Sequence, residues 1–387
     1  MTWTYARIPS VTIKDVASAD LPAVGSVVAY SLNTPADVDP CPTRRCGYSL
    51  VLGQRGAFSA WSGGAFAPDL GRSGSIVHTG GGHGDYGGNE VYRFDFQTRL
   101  WARLTEPHAY GGGADGMPGG KWPWDPDWGD FLDDRSPVSS HNLGCLAVVD
   151  GKLHYPLKSA VGVPSMQCSR ASVFDLESKK WARFGDAQGP KPGNGVNGAC
   201  YLDPGRHVIW AFAGVAGMLD LASGKWTNHP QGNTWWQWGT MFCHDPVSRY
   251  ALALLAGAPA DTAPIAGLYL FDPANPLVAK RCRVDGTLPT PSAPGFAYSP
   301  VTDRFYVHNG NGANEVFVLS RPVDGDVAMG TWTVTTERFA GPSVTSQALV
   351  YSKLHWVPAL KSLAYYGGSD VHGRAGGPVY LYRPKGS

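Results

Sequence analysis

The chain has 387 residues, with 32 Lys and Arg against 31 Asp and Glu and a formal charge of +1. Only 16% of residues are charged, so no basic field exists to hold nucleic acid or an anionic membrane, and neither is expected as a partner. Fifty Gly and 31 Pro beside 14 Trp, 17 Tyr and 14 Phe exclude a helical bundle, which tolerates neither Gly nor Pro, and disorder, which lacks aromatics.

The first segment, MTWTYARIPSV, contains no apolar stretch of the signal-peptide kind. No window reaches the roughly 18 apolar residues of a spanning helix. A cytoplasmic protein, a mature secreted form and a virion component all fit that start. The 7 Cys are scattered; Cys41 and Cys46 flank a short loop and could pair in an oxidising compartment, with free thiols the plainer reading. Residues 22–60 carry weak alternating segments that read as strands.

From residue 60 onward one phrase recurs: an alternating apolar segment ending in an aromatic and Asp, a few turn residues, then Trp. It reads VYRFDFQTRLW at 91–101, SVFDLESKKW at 172–181 and GMLDLASGKW at 217–226, with looser copies at 268–276, 315–332 and 379–384. Outside one long insertion the copies sit roughly 45 to 60 residues apart, the period of a four-stranded propeller blade. Units start near residues 60, 141, 196, 237, 293 and 346. Short strands separated by Gly-rich turns make this an all-β chain.

The glycines at 80–82 after an apolar strand, Tyr92 on the next strand and Trp101 on the one after resemble the kelch repeat. The resemblance implies one β-propeller domain over residues 1–387, read as seven blades with six as the alternative, residues 22–60 supplying the seventh. The last unit lacks an outer strand. TWTYARIP at residues 2–9 is expected to supply it by pairing around 379–383, closing the ring and removing exposed sheet edges.

In such a blade the loop between strands 2 and 3 and the loop leading into strand 1 emerge on one face. That face would gather His83, Tyr86, Asn89, His141, His308, Asn309, His372 and Arg374, with Trp235, Trp236 and Trp238. The 105–140 insertion is far longer than a connection needs and adds Arg135. His244 falls in a turn on the other side. The tryptophans suit flat sugar faces, and Arg374 has the reach to grip a carboxylate. No Walker loop, nucleophile elbow, HExxH or paired CxxC occurs. No cofactor is implied, although a structural metal ion stays open.

A rim of His, Tyr, Arg, Asn and Trp fits β-elimination on a uronic-acid polysaccharide, which needs a carboxylate neutraliser, a base and an acid. His83, His141, Tyr86 and Arg374 are the candidate catalytic groups. Asn89, Trp235, Trp236, Trp238, His308, Asn309, His372 and Arg135 are the candidate substrate contacts. The chain also resembles the propeller polysaccharide lyases, among them the ulvan lyases, in architecture and residue types. The rival expectation is a non-catalytic propeller that binds carbohydrate or protein. The expected partner is a polysaccharide or oligosaccharide, with a protein as the alternative ligand under the rival reading, and a monomer is the expected state.

Overall fold

Alternation and tight turns produce six antiparallel sheets in the computed structural model. It describes residues 21–42, 53–59, 61–80, 88–108, 132, 134–137, 139, 141–157, 171–185, 199–212, 216–229, 239–255, 266–272, 279–289, 293–323, 325–347, 349–367 and 376–387. Strand β1 (Val27–Ala29) comes first. Blade 1 follows with β2 (Gly64–Ala67), β3 (Ser75–Thr79), β4 (Val91–Asp95) and β5 (Leu100–Arg103). Blade 2 holds β6 (Ala147–Val149), β7 (Lys152–Tyr155), β8 (Ala171–Asp175) and β9 (Lys180–Phe184). Blade 3 holds β10 (Ala199–Asp203), β11 (Val208–Phe212), β12 (Ala216–Asp220) and β13 (Trp226–His229).

Blade 4 comprises β14 (Met241–His244), β15 (Ala251–Leu255), β16 (Gly267–Phe271) and β17 (Ala279–Arg281). Blade 5 is built from β19 (Gly295–Ser299), β20 (Arg304–His308), β21 (Glu315–Ser320) and β22 (Thr331–Arg338), with β18 (Arg283–Asp285) added in parallel along β22. Blade 6 contains β23 (Leu354–Val357), β24 (Ser362–Tyr365) and β25 (Tyr380–Tyr382), and β1 is its outer strand. The fold is a six-bladed β-propeller. The second strands are buried along their length, for example β3, β11 and β15, because each is covered on both faces by neighbouring blades.

The repeated phrase has a local physical basis. Its Asp ends strand 3, and the carboxylate accepts backbone N–H groups two and three residues on: Asp95 from Gln97 and Thr98, Asp175 from Glu177 and Ser178. This Asx turn reverses the chain through a left-handed residue, Arg99 at φ 62° or Lys179 at φ 57°. The Trp then starts the outer strand and fills the blade interior.

A second repeated device links the blades near the axis. In five of the six blades a left-handed residue stands two to four positions before the inner strand: Trp61, Leu143, Gly239, Ala293 and Tyr351 have φ of 53°, 51°, 87°, 51° and 51°. Leu143 N donates to Trp61 O at 3.0 Å, Ala293 N to Gly239 O at 3.1 Å, and Tyr351 N to Ala293 O at 2.8 Å. Equivalent residues thus bond to one another from blade to blade. Gly144, with φ 76°, must lack a side chain, since a Cβ there would stand 3.0 Å from Ser352 Oγ and 3.3 Å from Met241 Cε.

Two expectations are corrected. The chain has six blades, the alternative reading, because the described part of residues 22–60 builds no separate sheet. It contributes β1, a 3-10 turn (Pro35–Val38) and the short helix α1 (Arg55–Ser59). Closure does use an N-terminal strand, but Val27, Val28 and Ala29 pair with Tyr382, Leu381 and Tyr380. That occupies the edge expected for residues 2–9, which lie outside the described residues. Cys41 is disulfide-bonded, whereas Cys145, Cys200, Cys243 and Cys282 are free. No described helix is long and apolar enough to cross a membrane.

Candidate functional site

The expected rim is described only in part. His83, Tyr86, Trp235, Trp236, Trp238, His372 and Arg374 lie outside the described residues. Of the rest, His308 is not at a surface. It ends β20, is fully buried, stacks on Tyr365 at 4.1 Å, and bonds Tyr382 Oη through Nε2 at 3.0 Å and Gly310 N through Nδ1 at 3.0 Å. Burial lowers its pKa to about 3. The reason is positional. The strand-2 residue opposite the first residue of strand 1 is His78, His154, Phe212, Leu254, His308 and Tyr365 in the six blades. His308 thus sits on a second strand and packs against Tyr365 and Tyr382 of blade 6, so it cannot reach a sugar in solvent.

His141 is likewise buried and stacks on Trp61 at 5.6 Å, so it lies inside the axial belt. Asn309 is half-buried, and its carboxamide oxygen accepts Asn311 N at 3.1 Å in a local turn. Asn89 clamps the insertion. Its Nδ2 donates to Ser136 Oγ at 2.7 Å and Pro137 O at 2.9 Å, while its Oδ1 accepts His108 N at 2.8 Å. One side chain therefore holds both the outgoing and the returning end of residues 105–140.

That clamp borders a cleft of about 510 Å³ at the outer flank between blades 1 and 2. Asn89 and Arg135, both expected as substrate contacts, line it together with Glu106, Asp134 and the segment Lys179, Lys180 and Trp181. Arg135 is exposed with φ 66°, outside any repeated turn. The equivalents of Trp181 are buried: Trp101 at 1%, Trp226 at 9% and Trp332 at 0%. Trp181 departs from its repeat; one contact is Phe174, with ring centroids 5.0 Å apart, and the indole stays partly exposed along the cleft. The sequence signal was present, since KKW at 179–181 is the copy of the phrase with two cations beside its Trp.

Sequence reading missed two other groups. Lys353 is fully buried, with Nζ 3.3 Å from Leu349 O, and burial lowers its pKa to about 7. On the face of the strand 1–2 turns, Arg206, His244 and Arg249 line a cavity of about 620 Å³ between blades 3 and 4. Among the described residues no group of three His, Cys, Asp or Glu is arranged to hold a metal ion.

No family model matches the chain, and no curated protein matches it. Solved structures do resemble it. A structural-genomics protein of unknown function from Bacteroides thetaiotaomicron VPI-5482 has TM-score 0.50 and 11% identity, covering 92% of this chain and 75% of its own. The mitotic checkpoint complex contains a chain with TM-score 0.47 and 10% identity, covering 98% and 99%. An auxiliary nutrient binding protein from Bacteroides ovatus ATCC 8483 has TM-score 0.44 and 14% identity, covering 84% and 69%. At these identities the likeness is one of fold.

Proposed function

We propose that this kelch-like propeller recognises an acidic polysaccharide in the flank cleft between blades 1 and 2. The observation that carries this reading is Trp181, whose three counterparts are buried and which alone lines a cleft with Lys179, Lys180 and Arg135. A partly exposed indole offers a flat apolar surface to a sugar ring, and the neighbouring cations meet ring carboxylates. The cleft size suits one or two sugar units. Recognition is put ahead of β-elimination because His141, one of the two histidines proposed as base, is buried and offers no base at a surface, while His83 and Tyr86 lie outside the described residues.

Titration of polygalacturonate, alginate and an uncharged glucan by calorimetry tests the reading. The acidic polymers should bind and the glucan should not. Trp181→Ala and Lys180→Glu should each weaken binding by about tenfold or more, the second with an unchanged melting temperature. Undiminished binding by both variants would overturn the assignment. Appearance of ultraviolet-absorbing unsaturated products would instead move the reading to cleavage by the rim of His83, Tyr86 and Arg374.

A further inference from the structure

The strand 1–2 turns of blades 3 and 4 have the same construction, Asp203-Pro204 leading to Arg206 and Asp245-Pro246 leading to Arg249. Asp203 ends its inner strand and Asp245 directly follows its own, and each caps its turn. Asp203 Oδ1 accepts Gly205 N at 3.0 Å and Arg206 N at 3.1 Å; Asp245 Oδ1 accepts Val247 N at 3.0 Å. The two aspartates differ in what else they meet.

At the seam between blades 4 and 5, Arg321 fills the space. It grips Asp245 through Nη2 at 2.5 Å and Nε at 3.2 Å, also binds Asp303, and lies 5.4 Å over the Tyr298 ring. One guanidinium there serves two carboxylates. At the seam between blades 3 and 4, strand register aligns Arg321 with Pro273, which lies outside the described residues. The sequence at 272–278, DPANPLV, carries no arginine, and the cavity of about 620 Å³ lies at this seam.

The charge balance in that cavity is reversed. Arg206 and Arg249 both line it, and Asp203 is the one carboxylate that does. Asp203 is committed to Arg206, at 2.8 Å, and to its own turn. Arg249 is exposed and pairs with no carboxylate among the described residues. Between the arginines stands His244, whose ring is fixed by the buried Tyr201, with Oη 2.5 Å from Nδ1 and ring planes 24° apart. With Nδ1 engaged by Tyr201, the remaining ring nitrogen is left as a neutral polar group for the cavity.

We propose that this cavity is a binding site for a carboxylate-bearing small molecule, the ligand carboxylate pairing with Arg249 beside His244 as Asp245 pairs with Arg321 one seam further round. The surplus is a single positive charge, which fits a carboxylate better than a dianionic phosphate held close to Asp203. The volume lies within the range of small-molecule sites. This site is on a different pair of blades from the polysaccharide cleft and does not depend on it.

Calorimetric titration with D-glucuronate, acetate, D-glucose and inorganic phosphate decides the matter. Glucuronate and acetate should bind saturably, glucose should not, and phosphate should bind more weakly than either. Arg249→Gln should reduce glucuronate affinity by about tenfold or more without changing the melting temperature. Tyr201→Phe, which frees the imidazole ring, should weaken it less. Trp181→Ala should leave it unchanged. Equal binding by Arg249→Gln and the parent, equal binding of glucose, tighter binding of phosphate, or no saturable binding of either carboxylate would each overturn the proposal.

Discussion

Asn142, beside the rim candidate His141, is a fastener between blades. Its Oδ1 accepts Gly63 N and Gly144 N, both at 2.8 Å, and its Nδ2 donates to Gly63 O at 2.9 Å and Thr79 O at 2.7 Å. Every polar capacity of a buried amide is used, and three of the four bonds cross from blade 2 to blade 1. Removing the amide orphans buried backbone groups, each worth about 1–3 kcal/mol. Asn142→Ala should therefore lose about 3 kcal/mol or more in urea unfolding at unchanged slope. A loss below about 1 kcal/mol would mean that the belt backbone repairs itself without the side chain. Asparagine composition alone cannot separate such a fastener from a ligand contact, because the distinction lies in partners some 60 to 80 residues away.

At the scale of elements, buried histidines on second strands give the propeller a built-in acid sensitivity. His78, His154 and His308 are all buried on second strands, and burial lowers their pKa values to about 3, 4 and 3. Above pH 6.5, the ordinary imidazole value, these groups are neutral folded and unfolded, so they add no pH dependence. Between pH 6.5 and about 4 the unfolded chain takes up protons that the folded chain refuses. Stability then falls as pH falls, by up to about 1.4 kcal/mol per unit for each histidine. Blade 3 places an aromatic, Trp210, at the register position of His154. His154→Phe should thus keep the fold and flatten the decline measured by urea midpoints from pH 7 to pH 5; a profile parallel to the parent would show that His154 protonates freely in the folded state. The six strand sets were legible in the sequence because alternation, Gly turns and the Asp-to-Trp phrase are local. The burial of these histidines was not, since which residue faces the neighbouring blade depends on blade twist and on partners such as Tyr382, 74 residues beyond His308. The same locality separates the two readings of Trp181: the repeat marks it as a core residue, and only the arrangement of the insertion stem opens the cleft beside it.

For the whole molecule, closure of the ring is the step that sequence reading placed in principle and misplaced in detail. Several N-terminal segments have strand character, and the choice among them is set by which one reaches the free edge of β25. Val27–Ala29 takes that edge in blade 6. The chain then crosses to blade 1, where Asn33 imitates a strand partner: Nδ2 donates to Trp101 O at 2.9 Å and Oδ1 accepts Trp101 N at 2.6 Å. Tyr30 Oη donates to Phe96 O at 2.9 Å, Arg99 lies 4.8 Å over the Tyr30 ring, and Arg103 donates to Val38 O at 2.5 Å. One segment, residues 27–38, thus joins the last blade to the first and buries Val27, Tyr30 and Val38 between them. Burying each such side chain contributes about 1.5–3 kcal/mol, and without the segment the β25 edge and the flank of Trp101 are uncovered. Deleting residues 1–38 should cost several kcal/mol and promote association, read as a melting temperature lower by many degrees and a shift to higher mass in light scattering. Asn33→Ala, which keeps the strand but removes the crossing bonds, should cost about 1–3 kcal/mol and leave the protein monodisperse. A deletion variant that melts with the parent would show that the ring holds without its clasp, and the belt of left-handed residues around the axis would then have to carry closure alone.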